Sequence, residues 1–280
     1  MSAGALPGRK VVEIRPSRGL FDLDLGSVWR YRELWSILVQ RDIKVRYRQA
    51  SLGIGWAVLQ PLFTVLIGTV IFGHFAKLSS EGFPYPLFCL AGTLPWTYFQ
   101  EAARRSSVGL VADSELVRKV YFPRFILPVS SVTGPLVDSA INLVILLAMM
   151  MFYGVMPTWR FLFVPVFMAI GGLIALSVGL WLGPINAKFR DIMHTVPFLL
   201  QVWMYGTPVF YSITIVKAKW LPFYSLNPMV GVVQGFRWAV LGKTSYDPVS
   251  IWVSISAIVV LLFGGLLWFR NRERSFADII

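Results

Sequence analysis

Apolar residues along this chain fall into long runs, separated by short stretches that are cationic, proline-rich or both. A helix needs about 20 mainly apolar residues to cross the hydrocarbon core of a bilayer. Six segments meet that requirement: roughly Gly55 to Phe75, Pro86 to Arg104, Thr133 to Tyr153, Phe161 to Gly183, Val196 to Ile215 and Val249 to Phe269. Glu101, Arg104 and Arg105 intrude on the second, so its end is the least sharply drawn. Ahead of the first span, SVWRYRELWSILV puts Val28, Tyr31, Leu34, Trp35, Leu38 and Val39 on one helical arc, while Arg30, Arg32 and Glu33 mostly face away. That arc, with Trp29 beside it, predicts an amphipathic helix lying along the membrane interface; a helix packed on a soluble partner is the alternative. Between the fifth and sixth spans, the apolar part of Lys217 to Pro248 is too short to cross and return, yet too apolar for a free loop. Short re-entrant or interfacial helices, shielded by protein, fit it.

The expected fold is therefore an all-α integral membrane protein. Residues 1–26 form a flexible cytosolic tail, 27–50 the amphipathic helix and its linker, 51–270 a six-span domain, and 271–280 a C-terminal tail.

Composition agrees. Apolar residues make up 56% of the chain and charged ones 14%, at a mean hydropathy of +0.65, and a soluble protein of this size needs a more polar skin. The net charge of +12 invites a nucleic-acid reading, but in a membrane protein Lys and Arg first report topology. Lys77, Arg160, Lys217, Lys219, Arg237 and Lys243 fall on one face of a six-span arrangement, and the remaining 20 of the 26 cations fall on the other. The positive-inside rule then places both termini in the cytoplasm. The first 26 residues hold four arginines and lysines but no apolar core, so they are not a cleaved signal peptide. Cys89 stands alone and says nothing of redox compartment.

Catalytic chemistry is sparse. His74 and His194 are predicted on opposite sides of the membrane, which argues against a shared metal or proton relay and for structural roles. Gly242-Lys243-Thr244 hints at a phosphate loop, but Arg237 occupies the position where the upstream glycine belongs. Asp22 and Asp24 form an acidic pair in a tail, read best as a solvated loop. Asp138, with Asn142 one turn on, is the most informative polar residue in a span, and is expected to face a bundle interior, a pore or a partner. No second acid lies deep in a span to complete a relay. The aromatics Phe63, Trp96, Tyr98, Phe99, Trp203, Tyr205, Phe210 and Tyr211 divide between interfacial belts, helix contacts and a conduit, with sequence alone not assigning which.

Five stretches carry a resemblance: RDIKVRYRQASLGIGWAVLQPL, LAGTLPWTYF, LVRKVYFPRFILPVSS, the FRDI between the fourth and fifth spans, and TPVFYS followed by SLNP. In this order, over about Trp29 to Phe269, they resemble the permease subunits of ABC-2 type polysaccharide exporters (Wzm-like), which serve O-antigen, capsule and teichoic-acid export. The resemblance implies a bacterial inner-membrane homodimer that docks two ATPase subunits (Wzt-like) and moves a polyprenyl-diphosphate-linked glycan. It implies no cofactor in this chain, with ATP and Mg bound by the partner, and no nucleic acid. It also assigns roles. Glu115, Leu116, Val117, Arg118, Lys119, Val120, Tyr121 and Phe122 would form the ATPase contact, ended by Pro123, with Pro128 starting the third span at a bend. Arg190 and Asp191, within Lys188 to His194, would form the second contact, and Trp29, Tyr31, Leu34, Trp35 and Leu38 would lie beside the ATPase. Asn227 and Pro228 would belong to helices capping the external mouth. Apart from the resemblance, the aromatics named above and Asp138 are candidates for the conduit or for substrate contact, rings stacking on sugar faces, and Arg104 and Arg105, more basic than the family pattern, are candidates to meet the diphosphate. An exporter of small lipophilic molecules or lipids is the alternative within the fold; a membrane-embedded sugar transferase would need converging acids or histidines that the sequence does not show.

Overall fold

The computed structural model describes residues 29–48, 54–120, 122–189, 191–242 and 248–273. The regular structure among them is helical. In chain order the helices are α1 (Arg32–Arg48), α2 (Ile54–Gly68), α3 (Tyr85–Ala112), α4 (Ser114–Lys119), α5 (Ile126–Thr133), α6 (Leu136–Phe152), α7 (Val164–Lys188), α8 (Ile192–Tyr205), α9 (Leu221–Ser225), α10 (Pro228–Leu241) and α11 (Pro248–Glu273). A π-helical stretch, Thr69–Phe75, prolongs α2, and a 3-10 turn, Trp159–Phe163, leads into α7.

Four stretches of the described residues are long and apolar enough to cross a membrane: Gly55–Phe75, Ile126–Phe152, Trp159–Lys188 and Ile251–Arg272. They match the first, third, fourth and sixth predicted spans. The other two differ from expectation. The second does not stop at Arg104: α3 is one helix of 28 residues, about 42 Å long at 1.5 Å per residue, and buried along most of its course. Its charged positions are tolerated because they are paired, as described below. The fifth, expected over Val196 to Ile215, is α-helical only to Tyr205, with a 3-10 turn at Ile213–Ile215, because the backbone just beyond Tyr205 turns its carbonyls toward a buried arginine on α10. The third span also breaks elsewhere than expected. Pro128 sits in the first turn of α5, where its missing N–H has no helical partner to lose, and the interruption falls at Gly134-Pro135 between α5 and α6.

The centre of the fold is α3 against α7, its most extensive helix pair. Residues Gly171, Ala175, Gly179 and Gly183 recur every fourth position on α7, a stripe of small side chains that lets two backbones approach without help from a hydrophobic effect between spans. The approach is closest at Gly179, where a Cβ would overlap Ser106 Oγ and Cβ and lie 3.0 Å from the Ser106 carbonyl carbon. The α11 helix then covers α7, with Trp181 stacked on Trp268 at 5.8 Å and donating to the Leu261 carbonyl.

The segment expected to be re-entrant is helical and shielded. Every residue of α10 but Trp238 is buried. Its start is set by Asn227, whose Oδ1 accepts from the Met229 N–H at 3.0 Å, followed by Pro228 at the first helical position. Its end is set by Gly242 at φ 79°, a left-handed cap that suits glycine. The Asn227 amide also donates to the Gly206 carbonyl and to Thr207 Oγ1, and its Oδ1 accepts from Trp203 Nε1 at 2.8 Å, so one side chain joins the end of α8 to the start of α10. Asn227→Ala is expected to cost about 1–2 kcal/mol, read as a lower unfolding midpoint of the detergent-purified chain; an unchanged midpoint would show that the cap is redundant.

The amphipathic segment is also placed. The apolar arc of α1 is covered by this chain: Leu38 is buried, and Tyr31, Leu34 and Trp35 pack against a second core made by Leu110, Phe122, Ile126, Leu127, Leu180 and Phe269. Trp29, just outside α1, points outward at 70% exposure.

A charge-lined cavity as candidate functional site

The polar edge of α1 is what builds the site. Its last two turns carry Asp42, Arg46 and Tyr47 across α3 toward the start of α6. Arg46 donates to Glu101 at 3.0 Å and pairs with Asp138, and Tyr47 donates to the same Asp138. Glu101 is the hub, since Arg104 and Arg105 also reach it, at 2.9 and 2.6 Å. Arg105 approaches Asp42 at 3.8 Å, Arg41 pairs with Asp42 at 2.9 Å, and Arg41 grips Asp113 at 2.7 and 3.0 Å. The hydrogen bond that Arg41 donates to Asp113 holds its guanidinium above the ordinary arginine range. Asp113 immediately precedes α4, so a ladder of alternating charge runs from that short helix to Asp138.

Beside this ladder α1, α2, α3 and α6 line a half-open cavity of about 310 Å³. Tyr98, Glu101 and Asp138 stand in its wall, with Trp56 and Gln60 from α2, Thr93 and Thr97 from α3, and Asn142 from α6. Asp138 lines this cavity at 25% exposure, with a tyrosine and an arginine as partners. Glu101, Arg46 and Tyr47 were not singled out by sequence reasoning as site residues. Their only local signal was an acid and two arginines inside an apolar run; the partner, Arg46, lies 55 residues away.

The proposed substrate-contacting residues do not gather at one place. Tyr98 and Asp138 line the cavity, and Arg104 and Arg105 stand beside it, bound to Glu101. Trp96 and Phe99 are fully buried and meet Trp203 edge to face at 6.5 and 5.1 Å, an aromatic joint between α3 and α8. Phe210 stacks on Phe72 at 5.0 Å, and Tyr211 shares a hydroxyl contact with Tyr224 at 2.7 Å. Phe63 and Tyr205 are exposed on α2 and α8, at 54% and 60%.

The segment read as the ATPase contact folds as α4 and the residues after it, with Glu115, Arg118, Lys119 and Val120 facing outward and Leu116 and Val117 partly buried. Lys119 pairs with Glu115 at 2.7 Å, both more than 70% exposed. Phe122 is 5% exposed and anchors the turn after α4 in the second core. Asp191 is exposed at the start of α8, while Tyr121 and Arg190 lie outside the described residues. The described residues hold no group of His, Cys, Asp and Glu fit to bind a metal.

A helical membrane chain with a partly exposed ion-pair ladder and an outward-facing short helix between apolar segments fits a transport protein, and comparison with known families gives the same class. The family of ABC-2 type transporters matches residues 33–241, and this chain belongs to it. It is an integral membrane transport permease. It is 31% identical over 257 residues to the O-antigen export system permease protein RfbA of Myxococcus xanthus, covering 91% of this chain and 98% of that one. An RfbA of Klebsiella pneumoniae is 25% identical over 89% of this chain and 95% of its own length. The polysialic acid transport protein KpsM of Escherichia coli is 24% identical over 85% and 93%.

Proposed function

We propose that this chain is the permease of an ATP-driven exporter that carries a lipid-linked polysaccharide, O-antigen-like in kind, across the bacterial inner membrane. Near-full-length similarity to permeases named for O-antigen and polysialic acid export supports it most directly. In this reading two copies pair, each with an ABC ATPase docked on α4 and on the Lys188 to His194 turn, with ATP and Mg held by the ATPase. All six apolar segments cross the membrane, with α3 the second span, α8 and the backbone after it the fifth, and both termini cytoplasmic. The outward charges of α4 supply a contact surface, and the ladder from Asp113 gives displacement of that helix a connected route to the cavity.

Cells whose ATPase partner cannot hydrolyse ATP are expected to keep the glycan on the cytoplasmic side, read by antibody or lectin labelling of intact against permeabilised cells. Normal surface glycan in such cells would overturn the proposal.

A further inference from the structure

We infer that the cavity between α1, α2, α3 and α6 receives a neutral, hydroxyl-rich sugar unit of the cargo and excludes its anionic diphosphate. This inference rests on the polysaccharide reading above.

The first argument is the hydrogen-bonding capacity left in the wall. Thr64 donates to the Gln60 carbonyl at 3.0 Å, Thr93 to Leu90 at 3.3 Å, Thr97 to Leu94 at 3.1 Å, Tyr98 to Val132 at 3.3 Å and Ser139 to Pro135 at 3.0 Å. A hydroxyl has one proton to give and two lone pairs to accept with. With those protons committed to the backbone, the hydroxyls can offer an occupant only acceptors. Asn142 Oδ1 adds one more, buried without a partner. Arg46, Trp56 and Gln60 add N–H donors to the same wall, so an occupant that uses both sets must donate as well as accept, which a sugar hydroxyl does and a diphosphate, an acceptor only, does not.

The second argument is charge. Arg41, Arg46, Arg104 and Arg105 face Asp42, Glu101, Asp113 and Asp138 in one connected set of ion pairs, four cations to four carboxylates. A phosphate that took a remaining N–H of one of these arginines would bring its negative charge beside the carboxylates that the same guanidinium already holds. An ammonium would find each carboxylate already matched. A neutral polyol meets neither obstacle.

Size and shape agree. About 310 Å³ lies at the lower end of ligand cavities, which run from about 300 to 1,000 Å³, so the space suits a fragment of a glycan and not a polymer. Trp56 offers a broad ring in the wall for the flat face of a sugar.

The test is photo-crosslinking in native cells, with p-benzoyl-phenylalanine replacing Trp56 in the intact complex and, as a control, replacing the outward Trp252 on α11. The expected result is a glycan-bearing adduct at position 56, identified by mass spectrometry and by periodate-sensitive staining, and none at position 252. Adding Thr97→Val, which keeps the shape but removes an acceptor, is expected to lower the yield about fivefold, the worth of roughly one hydrogen bond. If the position-56 variant no longer exports, the same probe at Gln60, one turn along α2, replaces it. Normal surface glycan with only phospholipid adducts, or with no adduct at either cavity position, overturns this inference and leaves the exporter reading standing. Surface glycan that persists when this chain is deleted overturns the exporter reading itself.

Discussion

Arg237→Met is expected to lower the stability of the folded chain by about 3–5 kcal/mol, the range for removing one partner of a buried charge interaction. Arg237 is 3% exposed in the middle of α10. Its guanidinium donates to the carbonyls of Pro208 at 2.7 Å and Tyr211 at 3.1 Å and to that of Val209, and lies 3.7 Å from the centre of the Phe88 ring. Methionine would keep the apolar stem and strand three inward carbonyls in the segment that follows α8. Lysine would restore charge but not the fork, so Arg237→Lys should recover only part of the loss. Gly92→Ala should fail in the same way, because a Cβ there would overlap both Arg237 Nη2 and the Val209 carbonyl. The measurement is the heating midpoint of the tagged, detergent-solubilised chain on a sizing column. A methionine variant as stable as the parent would show that water reaches those carbonyls.

The second large effect is expected at Gly179→Leu, which should prevent α3 and α7 from packing and leave little or no monodisperse protein after extraction. The obstacle includes backbone as well as side chain, since the Ser106 carbonyl carbon would lie 3.0 Å from the new Cβ. Overpacking typically costs about 1–3 kcal/mol where neighbours can yield, and here the neighbour is the central helix. The smaller change Gly179→Ala with Ser106→Gly should recover part of the fold, by removing the overlapping Oγ and Cβ and leaving only the backbone contact. Wild-type yield and midpoint for Gly179→Leu would mean that the two helices do not meet at this position.

What the sequence revealed follows the reach of each interaction. The short helix α4 was legible because its boundary is local: Pro123 stands four residues past its end. The start of α10 was marked through the resemblance alone, at Asn227-Pro228; that pair is also a local cap signal, whereas its tie to Trp203 spans 24 residues and leaves no local mark. The three charges that marked the end of the second predicted span do not end the helix, since Arg46, far away in sequence, neutralises Glu101 and α3 continues to Ala112. The fifth span was drawn too long for a similar reason, since the apolar TPVF stretch looks like helix until Arg237 is known to hold its carbonyls. Aromatic identity alone did not separate Trp96 and Phe99, sealed in the core, from Tyr98 between them in sequence, which reaches the cavity wall.

The docking of α1 bears on how the protein is made. Its apolar arc is sheltered by Leu110, Ile126 and Leu127, and its polar edge by Glu101, Asp113 and Asp138, all of them translated later; Tyr47 waits 91 residues for Asp138. At synthesis rates of roughly 5–20 residues per second, that interval lasts about 5–20 s. During it Tyr31, Leu34, Trp35 and Leu38 have no cover from their own chain, and the nearest apolar surface is that of the bilayer receiving α2. The cover is complete only once Leu180 of α7 and Phe269 of α11, which belong to the same core, have also been made.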